Sequence, residues 1–236
     1  MAPKCKPLVV FDCDDTIVVS AGQYIPALIK WGRELGLPEV SEADWKRHWG
    51  MPYDKILQLL YPELTKDLFD YVLEELGRRS NEMVVPTFPG CLEALKALKD
   101  RFHLGVLTSR HQSPRDTLVS CGFPEDFFAF VFSAVDTRGA HKPNSLAGEP
   151  VFSWMGKKAV FEWAYYVGDA LSDLEFCRAI QVPFIAVTTG LVEGEEFEKV
   201  GQSPKFIFPS ITEAADWLKN GGNGIVEECQ ECSGQL

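Results

Sequence analysis

The sequence contains no long apolar run and no excess of positive charge. Its 236 residues carry 23 Lys and Arg against 34 Asp and Glu, a formal net charge of −11. No apolar run approaches the roughly 18 residues of a membrane span, and the one before Asp12 is too short for the core of a signal peptide. The net negative charge also argues against a nucleic-acid surface, which is expected to carry a basic face. We therefore expect a cytoplasmic protein whose partner is neither a membrane nor a nucleic acid.

The sequence also lacks the two CxxC motifs that a zinc site of the CxxC type would need. The seven cysteines are scattered and odd in number, and the closing CQEC, residues 229–232, has no second CxxC pair to complete a zinc site. Without a secretory signal this pattern indicates reduced thiols. The segment 223–236 around the CQEC is rich in Gly and polar residues, so we predict a flexible C-terminal tail.

Strand-like apolar runs alternate with helical patterns along most of the chain. Six runs read as buried strands, at residues 7–12, 103–109, 128–134, 163–169, 183–189 and 205–210. Leucines at helical spacing mark a helix over 90–101, and another over 210–220 begins with Ser210 or Thr212 as its cap. Continuous apolar strands between amphipathic helices predict an α/β fold, a doubly wound, Rossmann-like parallel sheet with both faces covered.

One interval has no strand-like run. About ninety residues separate the first two predicted strands, and those from 21 to 85 have only helical patterns. A parallel crossover needs far fewer residues. We predict an α/β core domain formed by residues 1–20 and 86–222, and a helical cap domain, residues 21–85, inserted after the first strand.

Polar residues follow several of the predicted strands. Ligands of an open parallel sheet bind outside the carboxyl ends of its strands, so these residues should meet at one edge. They are Asp12 and Asp14 after the first strand, Thr108 and Ser109 after the second, Lys142 beyond the third, and Asp169 and Asp173 after the fourth.

This set has the chemistry of phosphoryl transfer. Asp12 and Asp169 supply the oxygen ligands that Mg²⁺ prefers, and the metal would offset the repulsion among the crowded acids. Thr108 and Lys142 can hold a phosphoryl group, Asp12 can attack phosphorus, and Asp14 can move protons. Each motif alone has a structural explanation as a turn or a helix start, but their order at successive strand ends favours a site.

The chain resembles the haloacid dehalogenase-like superfamily, in particular its phosphoglycolate phosphatase-like branch with a helical cap. FDCDDT, LTS, the lysine of HKPN and GDALSD are similar to its four motifs in order, and the similarity covers about residues 7–218. It implies that Asp12 is the nucleophile and a Mg²⁺ ligand, and that Asp14 is the acid/base with its carbonyl on the metal. Thr108 and Lys142 would then bind phosphate, with Ser109 beside them.

The resemblance also implies roles for the two aspartates of the fourth motif and indicates which reaction the protein catalyses. Asp169 would ligate Mg²⁺, and Asp173 would support the metal or its waters. Relatives that dehalogenate lack an aspartate at the position of Asp14, so its presence favours phosphoryl transfer. The chain departs from the common pattern at Asp15, where such phosphatases usually have glycine, and at Val19, where many have aspartate.

The resemblance further implies that a loop of the cap selects the substrate. Residues 44–55 resemble that loop, with Gly50 and Pro52 in its turn. Its basic residues could contact an anionic substrate: Lys46, Arg47 and His48. Its aromatic residues could stack on a ring, although Trp45 and Trp49, four apart, could equally form the core of the cap.

Three functions fit this sequence. The leading hypothesis is a Mg²⁺-dependent phosphatase that hydrolyses a small phosphorylated metabolite through an aspartyl phosphate. A phosphomutase of the β-phosphoglucomutase kind would use the same motifs. A non-catalytic relative that binds a phosphorylated ligand is the third, and intact Asp12, Asp14, Lys142 and Asp169 argue against it.

Overall fold

A six-stranded parallel sheet lies at the centre of the protein, which a computed structural model describes over residues 6–110, 113–158 and 163–222. The strand order is β3-β2-β1-β4-β5-β6. The strands are β1 Leu8–Phe11, β2 His103–Leu107, β3 Phe130–Phe132, β4 Trp163–Gly168, β5 Phe184–Val187 and β6 Ile207–Phe208. All six predicted strands, the α/β class and the Rossmann-like sheet are confirmed.

Both faces of the sheet are buried, which explains why its strands are apolar without alternation. Val9 and Phe11 of β1 belong to one hydrophobic cluster, whereas Leu8 and Val10 belong to the other. Successive side chains of a strand point to opposite faces, so each face packs against its own layer. The strand order reverses at β1, which lies between β2 and β4. That reversal creates a crevice at the carboxyl end of β1.

Ten helices surround the described strands. In chain order, five α-helices lie between β1 and β2, and five follow β2. They are α1 Ala21–Glu34, α2 Glu42–His48, α3 Tyr53–Leu60, α4 Lys66–Glu82, α5 Cys91–Leu98, α6 Pro114–Ser120, α7 Glu149–Lys158, α8 Leu171–Ile180, α9 Gly194–Lys199 and α10 Ile211–Lys219. Ser210 caps α10 by accepting a hydrogen bond from the Thr212 amide at 3.0 Å, as one of the two predicted caps.

Helices α1 to α4 form the segment between residues 21 and 85, here called the helical insert. The chain enters and leaves it through adjacent segments, because the Val19 amide donates to the Pro86 carbonyl at 2.9 Å. Trp45, Leu57 and Leu76 are fully buried inside it, so Trp45 belongs to the core of the insert, one of the two alternatives left by the sequence.

The described helices include none with the length and apolar character needed to cross a membrane. The predicted tail, residues 223–236, lies outside the described residues. The division of the chain into a core domain and a cap domain stays a prediction.

Candidate active site

Buried groups of opposite charge meet where β1 ends. The Lys142 ammonium donates to Asp12 Oδ1 at 2.8 Å and to Asp173 Oδ1 at 2.6 Å. The Asp12 amide donates to the carbonyl of Val167 at 2.8 Å, which ties the residue after β1 to β4. The fold therefore brings together three charged residues that are far apart in the sequence.

Tyr166 of β4 holds Lys142 in position. Lys142 Nζ donates to the Tyr166 hydroxyl at 2.7 Å, and that hydroxyl donates to the Leu107 carbonyl at the end of β2, also at 2.7 Å. Burial opposes the charged form of Lys142, but the Asp12 and Asp173 carboxylates hold its pKa above the usual value. The lysine is therefore a fixed positive charge beside Asp12. Sequence reasoning missed Tyr166, which looks like any other aromatic residue of a buried strand.

Three carboxylates lie close enough to share a metal ion. Oxygen atoms of Asp12, Asp169 and Asp173 all lie within 4.8 Å of one another. Burial raises the pKa of Asp12 to about 7, although Lys142 opposes the rise. Burial, reinforced by Asp12 and Asp173, raises the pKa of Asp169 well above its ordinary value. Crowded buried carboxylates of this kind are stabilised by a cation.

The surrounding backbone leaves room for this carboxylate cluster. A Cβ atom at Gly168 would lie 2.5 Å from Asp173 Oδ2, and one at Gly190 would overlap the Asp169 carboxylate. Thr16 fixes Asp169 further by donating to its Oδ1 at 2.8 Å. Side chains at the two glycine positions would fill the space around these carboxylates. The hard oxygen donors held there are suited to a divalent cation such as Mg²⁺.

Asp14 lies outside this cluster and pairs with Arg110. The guanidinium donates to both carboxylate oxygens, from Nη2 to Oδ1 at 2.5 Å and from Nε to Oδ2 at 3.0 Å, and the Ser20 hydroxyl also donates to Oδ1. Such two-point pairing fixes the carboxylate plane. The sequence prediction missed Arg110. Its position directly after Thr108 and Ser109, at the end of β2, could have indicated that it lies at the site.

Asp15 connects the loop after β1, which carries Asp12 and Asp14, to the helical insert. Its carboxylate accepts hydrogen bonds from the amides of Ser20 and Ala21, each at 2.9 Å, and from the Trp49 indole at 2.8 Å. Its φ of 54° lies in the left-handed region, which favours glycine but admits aspartate. Burial raises the pKa of Asp15 to about 6, although the bond from Ala21 opposes the rise. The departure from the usual glycine therefore supplies a helix cap and a contact with the insert.

A cavity of about 620 Å³ lies between these strand ends and the helical insert. The predicted core residues all line it, namely Asp12, Asp14, Thr108, Ser109, Lys142, Asp169 and Asp173. The insert contributes mainly apolar and aromatic residues to the opposite side, among them Tyr24, Trp49, Met51, Tyr53, Ile56 and Leu73. The structure therefore brings the sequence-predicted core residues together around one space.

The three basic residues predicted for substrate binding do not line this cavity. Lys46 pairs with Glu42 and Arg47 with Asp44, each at 2.6 Å on the exposed surface of α2. His48, the last residue of α2, is half-buried but also lies outside the cavity lining. The loop that follows instead presents Trp49 and Met51, so the aromatic alternative for this segment agrees better with the structure.

The chain belongs to the haloacid dehalogenase-like hydrolase family, whose sequence pattern matches residues 9–187. A probable phosphatase IndB from Dickeya dadantii is 26% identical over 215 residues, covering 88% of this chain and 91% of that protein. A phosphoglycolate phosphatase from Vibrio vulnificus is 24% identical over 227 residues, covering 89% and 94%. The predicted family is therefore confirmed, and a hydrolase acting on phosphate monoesters is consistent with these relatives.

A solved structure shows the same fold. The crystal structure of a predicted phosphoglycolate phosphatase from Haemophilus somnus matches with a TM-score of 0.76 at 21% identity, covering 91% of this chain and 99% of that one. The match extends through the helical insert as well as the sheet, because so little of either chain is left out.

Proposed function

We propose that this protein is a Mg²⁺-dependent phosphatase that hydrolyses a small phosphate monoester through a phosphorylated Asp12. The observation that carries the proposal is the contact of Asp12 with Lys142 at 2.8 Å, beside the carboxylates of Asp169 and Asp173. The names of the phosphatase relatives support the same reaction. A small phosphorylated metabolite is the substrate class that fits a cavity of about 620 Å³.

Asp12 and Asp14 divide the chemistry between them. An Asp12 oxygen attacks phosphorus and forms an acyl phosphate as the bond from phosphorus to the leaving oxygen breaks. In this proposal one Asp14 oxygen is released from Arg110 when substrate binds and carries a proton, which it gives to the leaving oxygen. Asp14 then takes a proton from the water that attacks the acyl phosphate, which releases phosphate and regenerates Asp12. Lys142, with Thr108 and Ser109, balances and orients the phosphoryl oxygens.

The carboxylate cluster would hold the metal ion. Asp12 and Asp169 are the proposed side-chain ligands, with the Asp14 carbonyl as a third and Asp173 as support. Mg²⁺ bound there would offset the negative charge of the carboxylates and of the phosphoryl group. The helical insert, residues 21–85, is the proposed cap that covers the reaction and contacts the leaving group.

The phosphomutase alternative fits the cavity less well. A sugar phosphate presents several hydroxyl groups, and each needs a polar partner when it is buried. The insert side of the cavity presents mostly apolar side chains, such as Leu28, Met51, Ile56 and Leu73, and fewer polar ones, namely Asp54, Ser80 and two tyrosines. This composition favours release of the leaving group to water over the reorientation of a bound sugar.

Phosphate release from p-nitrophenyl phosphate with Mg²⁺ tests the proposal. We expect turnover that excess chelator abolishes and that Asp12→Asn reduces to a trace, since the amide is a poor nucleophile. Asp100→Asn, a substitution at an exposed turn, is the matched control and should keep full activity. Substantial turnover by Asp12→Asn, with its fold verified by circular dichroism, would exclude the aspartyl-phosphate route.

A further inference from the structure

The cavity has two chemically different ends. Charged and hydroxyl groups gather at the strand edge, whereas the helical insert contributes mostly apolar and aromatic side chains, among them Trp49, Met51, Tyr53, Ile56 and Leu73, with Asp54 and Ser80 as polar exceptions. A phosphoryl group occupies the first end when it reacts with Asp12. The rest of the substrate must then face the second end, where burying apolar surface is the main source of binding energy.

Positive charge in the cavity is confined to the strand edge. Among the described residues that line the cavity, Arg110 and Lys142 are the cations, and both already contact carboxylates. At the insert end Asp54 adds a negative charge to the lining. Its carboxylate lies 3.7 Å from the ammonium of Lys55, and Lys55 does not line the cavity. A second anionic group on the substrate would therefore meet repulsion and no free cation there.

The aromatic wall at the insert end is fixed before any ligand binds. The Trp49 ring stacks on Tyr24 with centroids 6.5 Å apart and planes inclined by 29°. Tyr24 lies under the Arg110 guanidinium at 5.5 Å, and Asp15 holds the Trp49 indole by its hydrogen bond. Because both rings of this aromatic wall are already held in place, little conformational entropy is lost when a substrate ring packs against them.

We propose that the preferred substrate is a phosphate monoester of an uncharged, largely apolar alcohol that carries a ring, and that phosphoglycolate is a poor substrate. This inference rests on the proposed phosphatase function and adds the class of leaving group. The specificity of this chain then differs from the activity for which the relative from Vibrio vulnificus is named. The groups that select this substrate are the apolar side chains at the insert end, the two cations already paired with carboxylates, and Asp54.

Two substrates with alkoxide leaving groups isolate the binding effect. 2-Phenylethyl phosphate carries an uncharged ring, whereas phosphoglycolate carries a carboxylate, and both esters expel an alkyl oxygen. We expect kcat/KM to favour 2-phenylethyl phosphate by about 100-fold. An equal or higher kcat/KM for phosphoglycolate would overturn the inference and leave the phosphatase function standing.

A new cation at the insert end should change this preference. Met51→Arg places a guanidinium in the cavity lining, where a carboxylate can pair with it. We expect the ratio of the two kcat/KM values to shift towards phosphoglycolate by about tenfold. Leu59→Arg is the matched control, since it adds the same charge to an exposed position of the insert outside the cavity lining and should leave the ratio unchanged. The same shift in both variants would contradict the proposed placement of the leaving group.

Calorimetry separates failure of this inference from failure of the proposed function. Asp12→Asn is titrated with each ester in the presence of Mg²⁺, so selection is measured without turnover. Tighter binding of 2-phenylethyl phosphate supports the inference even if the wild-type protein releases no phosphate. The absence of phosphate release would contradict only the proposed phosphatase function. Equal or tighter binding of phosphoglycolate counts against the inference whatever the activity.

Discussion

The indole of Trp49 donates to the carboxylate of Asp15 across 2.8 Å, and this bond joins the helical insert to the loop that carries Asp12 and Asp14. The same carboxylate caps the start of α1, and the Asp15 carbonyl accepts from the Thr189 hydroxyl at 2.6 Å. One residue of this loop therefore contacts both the insert and the segment after β5. A glycine at this position, as in the phosphatases that the chain resembles, would provide none of the side-chain contacts.

We predict that Asp15 and Trp49 are energetically coupled. In a double-mutant cycle of Asp15→Asn and Trp49→Phe, the coupling energy in the free energy of unfolding should be about 1–2 kcal/mol, as expected for a partly buried hydrogen bond to a carboxylate. Asparagine tolerates the left-handed backbone, so strain does not obscure the result. Urea denaturation of the four proteins measures it.

Trp217→Phe provides the control for this cycle. Trp217 packs against Tyr165 and Phe208. Its coupling to Asp15→Asn should be zero within error. Coupling as large as that of Trp49 would show that the cycle reports a global effect of the Asp15 substitution.

The second prediction concerns proton transfer by Asp14. Asp14→Asn keeps the backbone carbonyl but removes the proton carrier, so release of 2-phenylethanol from 2-phenylethyl phosphate should fall by about 10²–10⁴-fold. Release of p-nitrophenol from its phosphate ester should fall much less, because that leaving group needs little protonation. Single-turnover measurement of the released alcohol makes the comparison. An equal loss for both esters would assign Asp14 a role other than that of the general acid.

The sequence predicted the cluster of residues at the strand ends better than the residues that line the insert end of the cavity, and the reason is geometric. Asp12, Lys142 and Asp169 follow strands of one parallel sheet, so strand order alone brings them to one edge. Arg47 lies on a short helix whose rotation the sequence does not determine, and the fold turns it to solvent beside Asp44. Arg110 was missed because its partnership with Asp14 depends on a contact across the edge of the sheet.

The third prediction tests the metal site through a glycine. Mg²⁺ should stabilise the wild-type protein against thermal unfolding, by about 2.7 kcal/mol at a concentration of 100 Kd. Gly190→Ala should remove most of this gain, because its Cβ would occupy the space of the Asp169 carboxylate. Differential scanning calorimetry with and without Mg²⁺ measures the gain for each protein.

Gly156→Ala is the matched control for the metal test. Gly156 lies within α7, and a Cβ atom there meets nothing within 4 Å. Alanine favours a helix by up to about 1 kcal/mol over glycine, so this variant should be slightly more stable and keep the full Mg²⁺ effect. An undiminished Mg²⁺ effect in Gly190→Ala would place the ion elsewhere.

The last prediction follows from the buried charge of Asp12. Burial raises the pKa of its carboxyl from 3.8 to about 7, so in chelator the folded protein retains a proton that the unfolded chain has lost. The folded state binds more protons at Asp12 over this interval, so the contribution of Asp12 to stability falls as the pH rises from about 4 to about 7 and then levels off.

Asp12→Asn does not titrate at this position, so its advantage over the wild-type protein should grow with pH. We expect the difference in the free energy of unfolding to increase by about 2 kcal/mol between pH 5 and pH 7, measured by urea denaturation with excess chelator. Mg²⁺ should reverse the trend for the wild-type protein, because the ion binds the ionised carboxylate. A difference that stays constant with pH would mean that Asp12 is ionised throughout this range and that Lys142 alone compensates its burial.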